Sequence, residues 1–187
     1  GSEMCIRDSI MGDTLSKTQP LQIDLYDSPL WHRWLQPLWA ASQFLPAPFD
    51  ASQIASDMAA HDAADASGYR IELLTVLRRH FTAAKHTIEQ DFLATHDGAV
   101  YVGQHARCID ALLSLLRDEA RKIIPQSDDI AVIAVGGYGR GEMAPFSDID
   151  VMFLMPAKTS KKHEAAIEFM LYMLWDLGLK IGHSTRS

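Results

Sequence analysis

Ala134-Val-Gly-Gly-Tyr-Gly-Arg-Gly-Glu142, followed by Ser147-Asp-Ile-Asp150-Val-Met-Phe-Leu154, is the stretch on which the reading of the fold turns. The first part places a glycine-bearing turn after the apolar run Ile130 to Val135, which is short and rich in β-branched residues and so reads as a buried strand. The second part, Asp148 to Leu154, reads as another strand, ended by Pro156. Side chains alternate faces along a strand. Asp148 and Asp150 therefore point to one side, roughly 6 to 7 Å apart at Cα, and Ile149, Val151 and Phe153 take the core side.

Glycine turns are common, so the familiar alternatives have to be set aside. No lysine follows these glycines at the place a Walker-type phosphate loop needs. Gly139 to Ala144 fits the dinucleotide-binding spacing, but Pro145 and an acidic strand follow where a long helix should open. A kinase loop lacks its lysine strand and catalytic loop, and a calcium loop lacks its central glycine. What remains is a strand, a Gly-Gly turn and a strand bearing Asp-x-Asp. Gly136 and Gly137 let backbone amides approach phosphate oxygens, Arg140 supplies positive charge, and Ser147 offers a hydroxyl to a phosphate or to the strand start. Two like-facing carboxylates are costly to bury bare, and a divalent cation relieves that cost. The pattern fits Mg²⁺ held by Asp148 and Asp150 against a triphosphate, the chemistry of nucleotidyl transfer.

Outward from this stretch the chain is helical. Leu74, Leu77, Phe81, Ala84, Ile88 and Phe92 recur at helical spacing from Tyr69 to about Thr95. Asp97-Gly98 breaks that helix. A second carries Ile109, Leu112, Leu113, Leu116, Ala120 and Ile123 inward, with Arg107, Arg117 and Arg121 outside, and stops at Pro125. The two are expected to pack as an antiparallel hairpin. Lys161 to Leu177 is a third helix with Gly178 at its end, and Leu179 to Thr185 begins a third strand. Before the hairpin, Asp27 or Ser28 caps a helix striped with Trp31, Trp34 and Trp39. The expected fold class is α+β. Residues 1–26 read as a tag-like or disordered N-terminus, 27–125 as a helical region, and 126–187 as a partial, C-terminally truncated α/β core with a short mixed sheet.

Composition narrows the class of partner. A net charge of −7 is unfavourable for tracking nucleic acid, and no run reaches the ~18 apolar residues of a membrane span. Cys5 and Cys108 form neither a disulfide framework nor a metal spacing and fit reduced thiols in a cytoplasmic protein. His61, His80, His86, His96 and His105 lack shared-face spacing and read as scattered solvent-facing residues. Lys161 and Lys162 read as a solvated helix start, with reach toward a phosphate as the alternative. Asp176 sits at a helix C-terminus, a poor place for an acid without a cation beside it.

At these residues the chain resembles the polymerase-β-like nucleotidyltransferase superfamily, whose pattern is Gly-Gly or Gly-Ser followed about ten residues on by Asp-x-Asp. Gly136 to Glu142, Ala144 to Asp150 and Leu171 to Arg186 together resemble the N-terminal part of the bifunctional uridylyltransferase/uridylyl-removing family of bacterial nitrogen control. The resemblance implies transfer of UMP from UTP to a tyrosine of a PII-type signalling protein. It implies Asp148 and Asp150 as catalytic Mg²⁺ ligands, and Gly136, Gly137, Tyr138, Gly139, Arg140 and Ser147 as the substrate-binding set. Two alternatives stay open: another enzyme of this fold with a different nucleotide or acceptor, and a fragment that binds nucleotide without turnover. The superfamily usually adds a third carboxylate on a later strand. Here that strand offers Gly182, His183, Ser184, Thr185 and Arg186, with His183 either a substitute ligand or an ordinary surface histidine. The family's His-Asp and sensory domains are not in the chain, which reads as a fragment holding most of the transferase core.

Overall fold

The computed structural model describes residues 49–59, 66–124 and 129–187. Three helices come first: α1 (Ala51–Ala59), α2 (Ala66–Thr95) and α3 (Gly98–Ile123). Strand β1 (Ala131–Ala134), the short helical turn α4 (Gly136–Gly139), β2 (Ile149–Leu154), α5 (Lys161–Asp176) and β3 (Ile181–Arg186) follow. The α+β class and mixed sheet are as expected. The tryptophan-striped helix, Cys5 and His61 lie outside the described residues.

The helical hairpin forms where the polar break falls. His96 takes a left-handed φ of 54°, and the Asp97 carboxylate then accepts from the N–H groups of Ala99 and Val100, capping α3. Leu73, Val76, Leu77, Phe81, Ala84 and Ile88 of α2 are buried, as are Ala106, Ile109, Leu112, Leu116 and Ala120 of α3. The helix α1 joins this layer through buried Ile54, and Asp57 ties it to Arg79 and His80 of α2. Arg117 departs from the expected outer position: only 14% of its side chain is exposed, and it lines a small cavity with Asp110, Ser114 and Tyr138. Burial there pulls the guanidinium pKa down.

The sheet has the order β1-β2-β3, with β1 antiparallel and β3 parallel to the central β2. Ile149, Val151 and Phe153 are buried against the helices, where α5 contributes Ala166, Ile167, Met170, Leu171 and Leu174. The parallel crossover through α5 has built-in punctuation. At its start the Ser160 N–H donates to His163 Nδ1, which leaves the proton on Nε2 to meet Asp129 at 2.9 Å. At its end Gly178 has φ 80°, its N–H reaches Trp175 O, and Leu179 N–H reaches Leu174 O. Asp176, at the unfavourable helix end, has the cation it needs: Arg70 binds its carboxylate and Arg78 its carbonyl. Among the described residues no helix is long and apolar enough to cross a membrane.

Candidate active site

The other face of β2 carries Asp150, Met152 and Leu154, none of them buried. Asp150 is the second residue of β2, just past the last β1–β2 pair, Ala134 with Val151. Its carbonyl accepts from Val135 N–H, the last rung before the turn, and its register partner on β3 is Gly182. Both neighbours lack a side chain, and both need to. A Cβ on Gly136 would fall 2.8 Å from Asp150 Oδ2, and one on Gly182 would press still closer on Oδ1. Gly136 also has φ 61°, which a side chain would strain. Two glycines thus make room for one carboxylate, an oxygen apiece. Among the described residues no hydrogen bond or ion pair ties down that carboxylate or Asp148.

Asp148 is exposed, one residue before β2, and strand alternation assigns it to Asp150's side. The ladder continues past it, because Ile149 N–H donates to Lys180 O at 2.8 Å. That rung sets Lys180 beside Asp148 and, by alternation from Gly182, on the same face. Lys180 is exposed and makes no ion pair among the described residues. The sequence reading missed both Lys180 and the clearance role of Gly182. The alternation of β3 was visible, but its register against β2 was not.

The turn is built as a one-turn helix. Gly139 N–H bonds Val135 O, Glu142 N–H bonds Gly137 O, and the N–H groups of Gly136 and Gly137 find no carbonyl among the described residues. Arg140 folds over it, donating to Gly136 O at 3.1 Å and to Glu142 at 2.9 Å. Tyr138 turns the other way. Its ring is buried, and its hydroxyl donates to Asp110 of α3 at 2.7 Å, so the side chain anchors the turn from behind. Gly139 is buried beside it. The Ser147 hydroxyl donates to Ala144 O at 2.8 Å and closes the turn before the acids.

Other candidates fall elsewhere. Lys158, Lys161 and Lys162 follow the C-terminal end of β2, which lies about 13 Å along the strand from Asp150 and about 20 Å from Asp148, so they stand at the opposite end of β2 from the acids. His183 pairs in register with Val151, on the helix-covered face, and its ring packs 6.2 Å from Trp175. It points away from Asp150. His80 and His105 are not solvent-facing: His80 pairs with Asp57, and His105 meets Met143 O while burial lowers its pKa. No group of three or more metal-ligating side chains exists among the described residues. Two carboxylates with open surroundings still suit Mg²⁺, which commonly takes one or two from protein and the rest from phosphate and water.

Comparison with known proteins covers the same stretch of sequence. Residues 113–186, from inside α3 to the end of β3, match the nucleotidyltransferase domain family. The chain is 40% identical over 125 residues to the bifunctional uridylyltransferase/uridylyl-removing enzyme of Rhodospirillum rubrum, covering 63% of this chain and 13% of that protein. It is 38% identical over 144 residues to the enzyme of the same name in Gluconobacter oxydans, covering 75% and 15%. Over 58 residues, 31% of this chain and 6% of the relative, identity to that of Novosphingobium aromaticivorans reaches 66%. The chain thus spans about a sixth or less of the length of these curated relatives. No solved structure matches it.

Proposed function

We propose that this chain, a nucleotidyltransferase homologous to part of the bifunctional uridylyltransferase/uridylyl-removing enzymes, transfers UMP from UTP to a tyrosine of a PII-type signalling protein. The observation that carries the reading is Asp150 seated between Gly136 and Gly182, with both carboxylate oxygens open. In the reaction the tyrosine oxygen bonds to the α-phosphorus, the bond to the β-phosphate oxygen breaks, pyrophosphate leaves, and the phenolic proton is released.

Asp148 and Asp150 would hold Mg²⁺. When bound, that ion offsets charge on the phosphates and lowers the barrier to in-line displacement. The chain's own contribution is positioning. The free N–H groups of Gly136 and Gly137 face incoming phosphate oxygens, and Arg140 adds fixed charge above the turn. Lys180, beside Asp148, supplies a second cation for the triphosphate. Tyr138 and Ser147 hold the two turns in place, through Asp110 and Ala144.

The test combines purified protein, Mg²⁺, UTP and a PII-type protein, with mass spectrometry of the acceptor. A gain of one UMP is expected, dependent on UTP over the other nucleoside triphosphates. Asp148→Asn and Asp150→Asn should each reduce the rate by about 100-fold or more, the scale on which losing one transition-state charge contact acts. Unimpaired transfer by the double variant would remove both acids from the site.

A further inference from the structure

Two residues before Asp148, the chain makes a tight turn whose sequence does not suit its geometry. Ser147 N–H donates to Ala144 O at 3.2 Å, closing a four-residue turn with Pro145 in its second position. Pro145 fixes a negative φ, and Phe146 follows with φ 66°, which defines a type II turn. The third position of such a turn favours glycine or asparagine, because a Cβ crowds the backbone there. Among the described residues only His96 and Phe146 are non-glycine residues with positive φ, and His96 belongs to a residue type that tolerates it.

Among the described residues the ring finds almost no cover. Phe146 is 93% exposed, against 66% for the next most exposed large apolar residue described, Ile71. A lone exposed apolar side chain is ordinary. A bulky one held in a left-handed conformation, beside the reacting carboxylates, is not. Strain of this kind persists where a function selects it. The turn is also rigid: Pro145 restricts it, the Ser147 hydroxyl braces Ala144 O, and buried Met143 behind it meets His105. Phe146 is therefore an apolar projection from a braced turn, two residues before Asp148.

We infer that Phe146 docks the acceptor protein, inserting its ring into that protein's surface so that the acceptor tyrosine meets the site. The inference rests on the transfer reading above. Exposure selects the acceptor over the uracil base. A stacking platform for a base has one ring face backed by its own protein, whereas both faces of Phe146 are open. A base could cover only one of them, but a macromolecular partner can enclose both, as interface aromatics are enclosed.

The experiment compares wild type with Phe146→Gly and Phe146→Tyr. It measures melting temperature, affinity for Mg²⁺ with a non-hydrolysable UTP analogue, and affinity for a purified PII-type protein. Phe146→Gly should melt about 2 to 4 °C higher as the turn relaxes. Its PII affinity should fall about tenfold or more while UTP affinity holds. Phe146→Tyr, which keeps the ring, should retain PII affinity. Unchanged PII affinity in Phe146→Gly, or no PII binding by wild type, would overturn the inference. A parallel loss of UTP affinity would overturn it too, assigning the ring to the base, and a lower melting temperature would remove the strain argument. Docking is read as affinity and needs no turnover. Failure of the transfer reading is seen separately, as wild type that binds the PII-type protein yet adds no UMP to it from Mg²⁺ and UTP.

Discussion

Asp150 and Gly182 face each other across the parallel β2–β3 pair, and the carboxylate occupies the space that a side chain on Gly182 would fill. Gly182 is not among the glycines with positive φ, so its backbone accepts alanine. The only close contact of that added methyl is with Asp150 itself. Gly182→Ala is therefore expected to leave unfolding free energy within about 0.5 kcal/mol of wild type while lowering transfer by about tenfold or more. Gly136→Ala adds backbone strain to the same clash and should also lose about 1 to 2 kcal/mol of stability. Urea unfolding alongside the transfer assay checks both. An active Gly182→Ala would mean that Asp150 needs no fixed position.

Lys180 and the lysines of α5 give a second contrast. Lys180 extends the ladder beside Asp148, whereas Lys161 and Lys162 stand at the other end of β2. Lys180→Gln should weaken UTP binding about three- to tenfold and flatten its salt dependence, since an exposed cation acts through screened charge. Lys161→Gln and Lys162→Gln should do neither. Titration calorimetry at two ionic strengths decides it; equal effects from all three would make the contribution one of net charge alone.

Much of this arrangement is legible in the amino-acid sequence, and what is not legible has physical reasons. Helical period found the buried stripes of α2 and α3, and β-branched composition found β1 and β2, because burial repeats at the period of the element. The helix α1 went unread since only Ile54 and Met58 stand out among its Ala, Ser and Asp residues. Arg117 was assigned outward from charge, yet the cavity with Asp110, Ser114 and Tyr138 accommodates it. Alternation put both acids on one face, but pairing register depends on contacts between strands distant in sequence. Lys180 and Gly182 were legible only as members of a strand, and His183 landed on the face opposite the acids.

Tyr138 separates direct binding from support. Its hydroxyl lies on Asp110, behind the glycine turn, and the ring is buried. Tyr138→Phe keeps the packing and loses a hydrogen bond to a carboxylate, so about 1 to 3 kcal/mol of stability should go. UTP affinity should fall only a few-fold, as the turn loosens. A large loss of affinity with unchanged stability would instead place the hydroxyl on the nucleotide.

Tyr69 offers a pH signature of the helical layer. Its hydroxyl donates to Glu119 Oε2, and Lys122 holds the other carboxylate oxygen at 2.6 Å. Burial first, then the hydrogen bond and charge of Glu119, push the phenol up to about 12. The unfolded phenol titrates near ~10, so between about 10 and 12 the unfolded chain releases a proton that the folded one keeps. Stability from this group is therefore intact below about pH 10 and falls as pH rises toward 12. The buried Cys108 thiol, also pushed up to about 12, loses stability through an overlapping range, but it does so equally in a Tyr69→Phe variant. The melting temperature of wild type minus that of Tyr69→Phe should accordingly be constant from pH 7 to about 9.5 and shrink by pH 11. A difference that stays level to pH 11 would show that the folded phenol ionises as readily as the unfolded one.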